Sequence, residues 1–368
     1  MKISESKNSK KAIIAMSGGV DSSVAAFLMK EKGYECMGAT MKLFYGEEPE
    51  SANEHSCCSL SDVEDARSVA HALDIPFYVF NFSEQFEEKV IQRFVEAYEN
   101  GRTPNPCIDC NRYLKFDKLF SRAKELDYDF VVTGHYAQIV YDEASGRYLL
   151  KKAVDDNKDQ SYVLYSMTQE QLAHTLFPLG GMTKPEVRNI AESHRFVNAR
   201  KHDSQDICFV QNGKYADFIE EYTGKSFPAG DFIDGDGQKL GDHKGVIRYT
   251  VGQRKGLGLS FPEPMYVSQV NPENNTVTLV PEPHLYSKTL IATDINLISV
   301  SRIEEPMRIK AKVRYRQPEQ PATVTQIDED TLRVDFDEPQ RAITKGQAVV
   351  LYDGDTVVGG GTIESLPK

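Results

Sequence analysis

The feature that most constrains this chain is a glycine-containing segment near its beginning, Ala15-Met16-Ser17-Gly18-Gly19-Val20-Asp21-Ser22-Ser23. An apolar run before it predicts a buried strand, and the residues after it predict a helix that ends at Gly33. A strand, a glycine turn and a helix N-terminus together form an anion site, because backbone N–H groups approach the anion closely and the helix dipole favours negative charge. The segment lacks the Gly-Lys-Ser/Thr ending of a Walker A loop. We therefore predict a nucleotide-phosphate site of another type, the alternative being an ordinary turn that caps a helix.

The first third of the chain alternates apolar and amphipathic segments, up to about Thr133. This rhythm predicts an α/β domain with a parallel sheet covered by helices on both faces, and ligands bind such sheets at the carboxyl ends of the strands. Strands are predicted at Ala12–Met16, Glu35–Met41, Phe77–Phe80 and Phe130–Thr133, and helices at Ser22–Lys32, Asp62–Leu73, Glu84–Tyr98 and Phe116–Leu126.

The pattern of apolar and polar residues changes in the remainder of the chain. A hairpin is predicted at Ala137–Tyr141 and Arg147–Lys151, followed by helices at Gln169–Leu176 and Lys184–His194. Capping-box patterns, Ser61-x-x-Glu64 and Thr183-x-x-Glu186, precede two of the predicted helices. From Ala229 onward, glycine, proline and short alternating runs predict small β modules. We expect an α/β domain over residues 1–212, a small, mostly β module over 213–284 and a C-terminal β-barrel over 285–368.

Composition limits the class of protein. The polar start of the chain has no signal-peptide core, and no apolar run reaches membrane-spanning length, so we expect a cytoplasmic protein with no membrane partner. The 6 cysteines of 368 residues are too few for a disulfide scaffold, which leaves reactive, metal-binding or buried thiols. The net charge of −12 argues against a generally basic nucleic-acid-binding surface, although a local basic face can still hold RNA.

A cysteine pair lies between two predicted helices, in the segment Gly101-Arg102-Thr103-Pro104-Asn105-Pro106-Cys107-Ile108-Asp109-Cys110-Asn111. Its prolines favour an extended backbone, so we expect the cysteines in a loop. A Cys-x-x-Cys pair brings two sulfurs together and either lowers a thiol pKa or shares a metal. A third cysteine, Cys208, lies far downstream. Structural zinc takes four ligands, and His55, Cys57 and Cys58 supply no second spaced pair.

Several motifs together resemble a known family. The loop matches the Ser-Gly-Gly-x-Asp-Ser pattern of PP-loop ATP pyrophosphatases, which adenylate a substrate oxygen and release pyrophosphate. Further motifs follow in the order of the tRNA-specific 2-thiouridylase family: Thr103-Pro104-Asn105-Pro106, Cys110-Asn111, Lys115-Phe116, Thr133-Gly134-His135-Tyr136, Lys158-Asp159-Gln160-Ser161-Tyr162, Ser204 to Phe209, and Gly252 to Gly258. The resemblance runs almost to the C-terminus. It implies ATP-dependent replacement of O2 by sulfur on the wobble uridine (position 34) of tRNA.

The resemblance also implies roles for individual residues. Cys110 is the nucleophile and Cys208 carries a persulfide, so that a disulfide between them follows each turnover. The target base meets Asn105, Pro106 and Cys107. The implied tRNA contacts are His135, Lys158, Asp159, Gln160, Arg314, Tyr315 and Gln347. The implied ATP site comprises Ala15, Met16, Ser17, Gly18, Gly19, Val20, Asp21, Ser22, Met41 and Gly134. A persulfide donor or relay protein supplies sulfur, and Mg²⁺ neutralises the leaving pyrophosphate.

One residue departs from the family pattern, because many relatives have Asp where this chain has Cys107. A carboxylate there could transfer protons, and a thiol would not do so in the same way. The substitution creates a set of three cysteines, Cys107, Cys110 and Cys208. Three thiolates could instead hold an iron–sulfur cluster with one iron open to sulfide. The persulfide route remains our expectation, and Cys107 as a neutral spectator is a further alternative.

A basic segment indicates where an acidic protein could hold RNA. In Arg308-Ile309-Lys310-Ala311-Lys312-Val313-Arg314-Tyr315-Arg316 the charged residues alternate with others, so on one strand they would share a face. A phosphate backbone would satisfy such a row of like charges. The alternative is a solvated outer barrel face balanced by carboxylates on neighbouring strands.

The sequence thus predicts a three-part enzyme that thiolates tRNA uridine with ATP and a persulfide. One rival is a PP-loop ligase that adenylates a small molecule for amidation, which would need neither paired cysteines nor a basic strand. Another is a non-catalytic RNA-binding or iron–sulfur sensing protein, which would release no AMP.

Overall fold

In the computed structural model the described residues are 9–44, 60–203, 207–210 and 213–367. The chain forms two compact units. The first contains residues 1–90, 107–209 and 355–357, and the second contains residues 91–106, 210–354 and 358–368. His55, Cys57 and Cys58, and Ser204 to Asp206 of the cysteine motif, lie outside the described residues.

The sheet of the first unit is parallel, as predicted. Its strands are β1 (Lys11–Ala15), β2 (Glu35–Lys42), β3 (Phe77–Asn81), β4 (Phe130–Val132) and β7 (Thr175–Leu176), in the order β3-β2-β1-β4-β7. β1 lies at the centre, and its apolar run is buried on both faces. A hairpin of β5 (Gln138–Asp142) and β6 (Arg147–Lys151) follows β4, close to its predicted position. The sequence missed β7, which lies inside the helix predicted at Gln169–Leu176.

Helices flank this sheet. They are α1 (Val20–Glu31), α2 (Leu60–Ala72), α3 (Ser83–Phe86), α5 (Pro106–Asp109), α6 (Leu119–Glu125), α7 (Gln169–Ala173) and α8 (Lys184–Ser193), with π-helical turns at Glu87–Ile91 and Cys110–Lys118. Gly33 ends α1 in the left-handed region, at φ +80°, and the N–H of Tyr34 bonds back to the Met29 carbonyl.

The two predicted capping boxes differ in outcome. The box before α8 is confirmed, because the backbone N–H of Thr183 donates to the Glu186 carboxylate over 2.7 Å. The box at Ser61 is wrong. Helix α2 begins at Leu60, so Ser61 lies within its first turn, and Glu64 pairs instead with Arg67 one turn later.

The second unit is mostly β. It contains α4 (Gln92–Glu99) and α9 (Tyr215–Thr223), and a small sheet of β8 (Gly230–Ile233), β9 (Lys239–His243), β10 (Met265–Asn271) and β11 (Thr276–Pro281) in the order β10-β11-β8-β9. A six-stranded barrel follows, built from β12 (Tyr286–Leu297), β13 (Met307–Lys312), β14 (Gln320–Gln326), β15 (Leu332–Arg341), β16 (Ala348–Asp353) and β17 (Thr356–Ser365). Pairing of β12 with β17 closes it. The predicted small β modules are confirmed.

The basic strand is shorter than predicted. β13 ends at Lys312, and a turn follows in which the N–H of Gln317 bonds to the Arg314 carbonyl. Arg314 and Arg316 therefore do not extend the row formed by Arg308, Lys310 and Lys312. Pro318, which lacks an N–H for strand pairing, follows this turn. Among the helices of the described residues, none combines the length and hydrophobicity needed to cross a bilayer.

Candidate active site

The glycine loop between β1 and α1 presents a set of open donors. In the described part of the chain, five consecutive backbone N–H groups, from Gly18 to Ser22, donate no hydrogen bond. The first N–H groups of a helix have no intrahelical partner, and the dipole adds positive potential at the same end. A run of such donors at the carboxyl end of a central strand can bind an anion.

Two serine hydroxyl groups donate to one carbonyl of the loop. Ser22 and Ser23 each donate from Oγ to the Gly19 carbonyl over 3.0 Å, and the N–H of Ser17 donates to Ser22 Oγ over 3.2 Å. Gly18 sits at φ +74°, and a Cβ there would lie 2.3 Å from the Asp62 backbone oxygen. Only glycine fits at this position, because the backbone of α2 closes the space.

A buried asparagine fixes the loop from a distant part of the chain. Asn198, only 2% exposed, donates from Nδ2 to the Gly18 carbonyl over 2.8 Å and to Ser23 Oγ over 2.9 Å. Three residues later, Lys201 pairs with Asp62 at 2.5 Å and with Asp65 at 2.6 Å. The segment from Asn198 to Lys201 therefore contacts both the glycine loop and helix α2.

The end of β4 meets the loop from the other side. A Cβ on Gly134 would lie 2.8 Å from both the Asp21 carbonyl carbon and the Ser22 nitrogen, so glycine allows this close approach. His135 is buried, with Nδ1 2.6 Å from Thr133 Oγ1 and Nε2 3.4 Å from Lys115 Nζ. Burial first, and then the Lys115 charge, hold the pKa of His135 well below its usual value. The imidazole is neutral at pH 7, and because an ammonium only donates, Nε2 is the acceptor.

An ion network surrounds the loop aspartate. Both carboxylate oxygens of Asp21 lie 2.8 Å from the buried Lys184 ammonium, and the Tyr136 hydroxyl donates to the same carboxylate over 2.8 Å. Lys184 also pairs with Asp203 at 2.7 Å. Burial would raise the pKa of Asp203, but hydrogen bonds from Lys158 and Lys184 outweigh it and hold that pKa below its usual value.

The cysteine pair lies on a helix, and the loop predicted for it is wrong. Helix α5 begins at Pro106, where the missing N–H costs nothing and the fixed φ suits the first turn. Cys107 is exposed, and the partly exposed Cys110 opens the π-helical stretch. π-Helical turns are often found at functional sites. On the same stretch the buried Asn111 donates to the Val163 carbonyl over 3.0 Å.

The third cysteine belongs to the same unit. Cys208 is partly exposed, and the neighbouring Phe209 packs edge-on against Phe86 with ring centroids 5.8 Å apart. Across the described residues, no group of three His, Cys, Asp or Glu side chains is arranged to hold a metal ion. Cys107, Cys110 and Cys208 therefore do not fit a preformed cluster site.

The other residues implied by the resemblance lie in varied surroundings. Arg314 donates from Nη2 to the Val251 and Ala342 carbonyls, each over 3.0 Å, and Tyr315 is exposed beside it. Gln347 donates to the Thr103 and Pro104 carbonyls over 2.8 and 3.2 Å and so fixes the residues just before Asn105.

In the first unit, the Lys158 ammonium is engaged with Asp203 at 2.7 Å. Asp159 accepts the N–H of Ala153 over 3.1 Å, and Gln160 accepts the N–H of Tyr136 over 3.0 Å. Met41 is a residue of β2.

Sequence reasoning missed the residues that support the loop from afar. Asn198 carries no local signal, since a single asparagine indicates only a turn. Lys184 lies within the capping box Thr183-x-x-Glu186, and Asp203 directly precedes the motif from Ser204 to Phe209, so both lie beside predicted features.

Three family models match the chain. The one described as tRNA methyl transferase HUP domain matches residues 10–212. The tRNA methyl transferase PRC-barrel domain matches residues 216–281, and the aminomethyltransferase beta-barrel domain matches residues 287–363. A solved 4-thiouridine synthetase–RNA complex with bound ATP is 17% identical over 58% of this chain and 50% of its own, with a TM-score of 0.38, a similarity too low to carry a conclusion.

Curated relatives match at much higher identity. The tRNA-specific 2-thiouridylase MnmA of Clostridioides difficile is 54% identical over 355 residues, which are 96% of this chain and 98% of the relative. That of Acetivibrio thermocellus is 53% identical over 356 residues, 96% of this chain and 99% of the relative. The resemblance read from the motifs is confirmed. The chain belongs to the family of tRNA-specific 2-thiouridylases.

Proposed function

We propose that this protein is an ATP-dependent tRNA-uridine 2-sulfurtransferase, which converts the wobble uridine at position 34 to 2-thiouridine. The observation that carries the proposal is the run of open N–H groups from Gly18 to Ser22, in the same compact unit as Cys110 and Cys208. Such a loop holds a leaving pyrophosphate, and the two thiols supply the sulfur chemistry.

The first step activates the base. Uridine O2 attacks the α-phosphorus of ATP, an O2–P bond forms, and the bond to the β-phosphate oxygen breaks. Charge builds on the leaving pyrophosphate, where the open N–H groups and the helix dipole stabilise it. Mg²⁺ needs only one or two carboxylates beside phosphate oxygens, and Asp21, which is partly exposed, would hold it in place of a contact with Lys184. When bound, the ion neutralises phosphate charge.

The second step delivers sulfur. The terminal sulfur of a persulfide on Cys208 attacks C2, and AMP leaves with the O2 oxygen. Cys110 thiolate then attacks Cys208 Sγ. The bond between Cys208 Sγ and the sulfur on C2 breaks, and 2-thiouridine leaves. Cys110 and Cys208 end as a disulfide, which a cellular thiol reduces. A donor protein then renews the persulfide. These steps follow the persulfide route, and none of them requires an iron–sulfur cluster.

The tRNA contacts belong to the same proposal. Asn105, Pro106 and Cys107 meet the target base, and the ATP site comprises Ala15 to Ser22 with Met41 and Gly134. The polynucleotide meets His135, Lys158, Asp159, Gln160, Arg314, Tyr315 and Gln347. Residues 1–212, 213–284 and 285–368 form the catalytic domain, the central module and the tRNA-contacting barrel. The enzyme works in the cytoplasm, where its tRNA substrate is found.

The test is mass spectrometry of tRNA nucleosides after incubation with ATP, Mg²⁺ and a persulfide donor. We expect 2-thiouridine with the unaltered chain and none with Cys110→Ser or Cys208→Ser. Cys36→Ala is the matched control, because burial raises the pKa of the Cys36 thiol to about 11 and keeps it unreactive. AMP release without any need for tRNA or cysteines would favour a small-molecule ligase instead. A complete lack of AMP would favour a non-catalytic RNA-binding protein.

A further inference from the structure

Three cationic side chains of the first unit converge on one carboxylate. Lys158 and Lys184 each lie 2.7 Å from Asp203, on different oxygens, and Arg188 lies 3.2 Å away. The Asp203 side chain keeps 26% of its surface exposed, so solvent reaches the cluster. One carboxylate thus holds three positive groups.

This cluster is connected directly to the glycine loop. The Lys184 ammonium contacts Asp203 on one side and both oxygens of Asp21 on the other. Lys158, Lys184 and Arg188 also line a cavity of about 540 Å³, together with Asn157, Asp155 and Glu192. The three cations therefore line a cavity, and one of them, Lys184, also contacts the loop that carries the open N–H groups.

A second ion cluster near the loop has the opposite balance. There, one cation, Lys201, serves two carboxylates, Asp62 and Asp65. That cluster has no positive group to spare for another anion. The cluster around Asp203 has three cations against two carboxylates, Asp203 and the Asp21 that Lys184 also contacts, so one positive charge is in excess. Arginine with lysine is the combination that binds phosphate oxygens.

We propose that Lys158, Lys184 and Arg188 form a second phosphate subsite next to the glycine loop, and that the Asp203 carboxylate occupies it until pyrophosphate takes its place. The inference rests on the proposed function, since it concerns the pyrophosphate that adenylation releases. Asp203 competes with that anion for the same donors. Phosphate therefore binds only the fraction of molecules in which Asp203 has moved away.

Titration calorimetry of the full chain with inorganic pyrophosphate and Mg²⁺ tests this. Asp203→Asn removes the competing charge, so pyrophosphate affinity should rise on the order of tenfold. Arg188→Gln removes a donor and should weaken binding by about tenfold. Asp65→Asn is the matched control, because it also neutralises an aspartate paired with a lysine near the loop, and it should leave the affinity unchanged.

The outcomes separate the inference from the proposed function. If the unaltered chain binds pyrophosphate but a folded Asp203→Asn variant binds it no tighter, Asp203 is a structural ion-pair partner and the inference fails alone. Should Asp203→Asn not fold, unchanged affinity in Arg188→Gln overturns the inference. If the unaltered chain binds no pyrophosphate and releases no AMP with tRNA, both fail.

Discussion

The side-chain amide of Asn198 donates to the backbone carbonyl of Gly18 over 2.8 Å, across 180 residues of sequence. A peptide unit is planar and trans, so its C=O and N–H point in opposite directions. Holding the Gly18 carbonyl against Asn198 therefore turns the Gly19 N–H away, toward the open side of the loop. Asn198 thus orients one of the open N–H groups of the loop.

Asn198→Asp should weaken ATP binding. The carboxylate cannot donate to the Gly18 carbonyl and repels it, which costs about 1–3 kcal/mol, or ~5- to 150-fold in Kd. Calorimetry with ATP and Mg²⁺ measures the change. Asn100→Asp is the matched control, because its amide also donates to a backbone carbonyl, that of Glu96, but on the surface of the second unit. Equal ATP affinity in the two variants would show that the loop holds its shape without Asn198.

Gly18→Ala should destabilise the fold far more than Gly33→Ala. Both glycines have positive φ, +74° and +80°, but only at Gly18 would a Cβ meet backbone, that of Asp62. A Cβ at Gly33 would meet nothing within 4 Å. We expect a loss of about 2–4 kcal/mol at Gly18 against about 1 kcal/mol at Gly33. Denaturant titration followed by circular dichroism measures both. Similar losses would mean that α2 moves to admit the methyl group.

The local sequence pattern was sufficient to predict much of the fold of the first unit. The strand before the loop, the helix after it and the stop at Gly33 follow from an apolar run, a glycine turn and a left-handed cap, each contained within a few residues. β7 was missed because it has only two residues, Thr175 and Leu176, and its pairing with β4 is a long-range contact that no local period records.

Local sequence predicted less of the candidate site than of the fold. The prolines before Cys107 indicated a loop, but Pro106 is the first residue of a helix, a position that suits proline equally well. The partners of Asn198, Lys184 and Asp203 come from distant segments, and only the assembled sheet brings them together. Sequence motifs could therefore indicate candidate reacting groups but not the residues that support the glycine loop.

His135 should make stability depend on pH. Burial and then the Lys115 charge lower the pKa of His135. Below about pH 6.5 this histidine therefore binds a proton in the unfolded chain but not in the folded chain, and the free energy of unfolding falls as pH falls. The slope approaches about 1.4 kcal/mol per pH unit. His135→Gln should flatten the change in thermal midpoint between pH 7.5 and 5.5, while the exposed His174→Gln should not. Burial also lowers the pKa of His243, but His243 contributes equally to the pH dependence of the unaltered chain and of both variants. An unchanged slope in His135→Gln would exclude this role.

Lys310 and Arg308 should differ in their contribution to tRNA binding, although both point outward from β13. Asp337 neutralises Arg308 through two contacts of 2.7 Å, whereas no ion pair to Lys310 is found within the described residues. A phosphate must displace Asp337 to gain Arg308 but meets Lys310 directly. Lys310→Met should therefore reduce the slope of log affinity against log salt by about 0.7–0.9, the value for one phosphate contact. Arg308→Met should reduce it less. Filter binding of tRNA at several salt concentrations measures both slopes, and a larger effect at Arg308 would show that the pair with Asp337 opens on the nucleic acid.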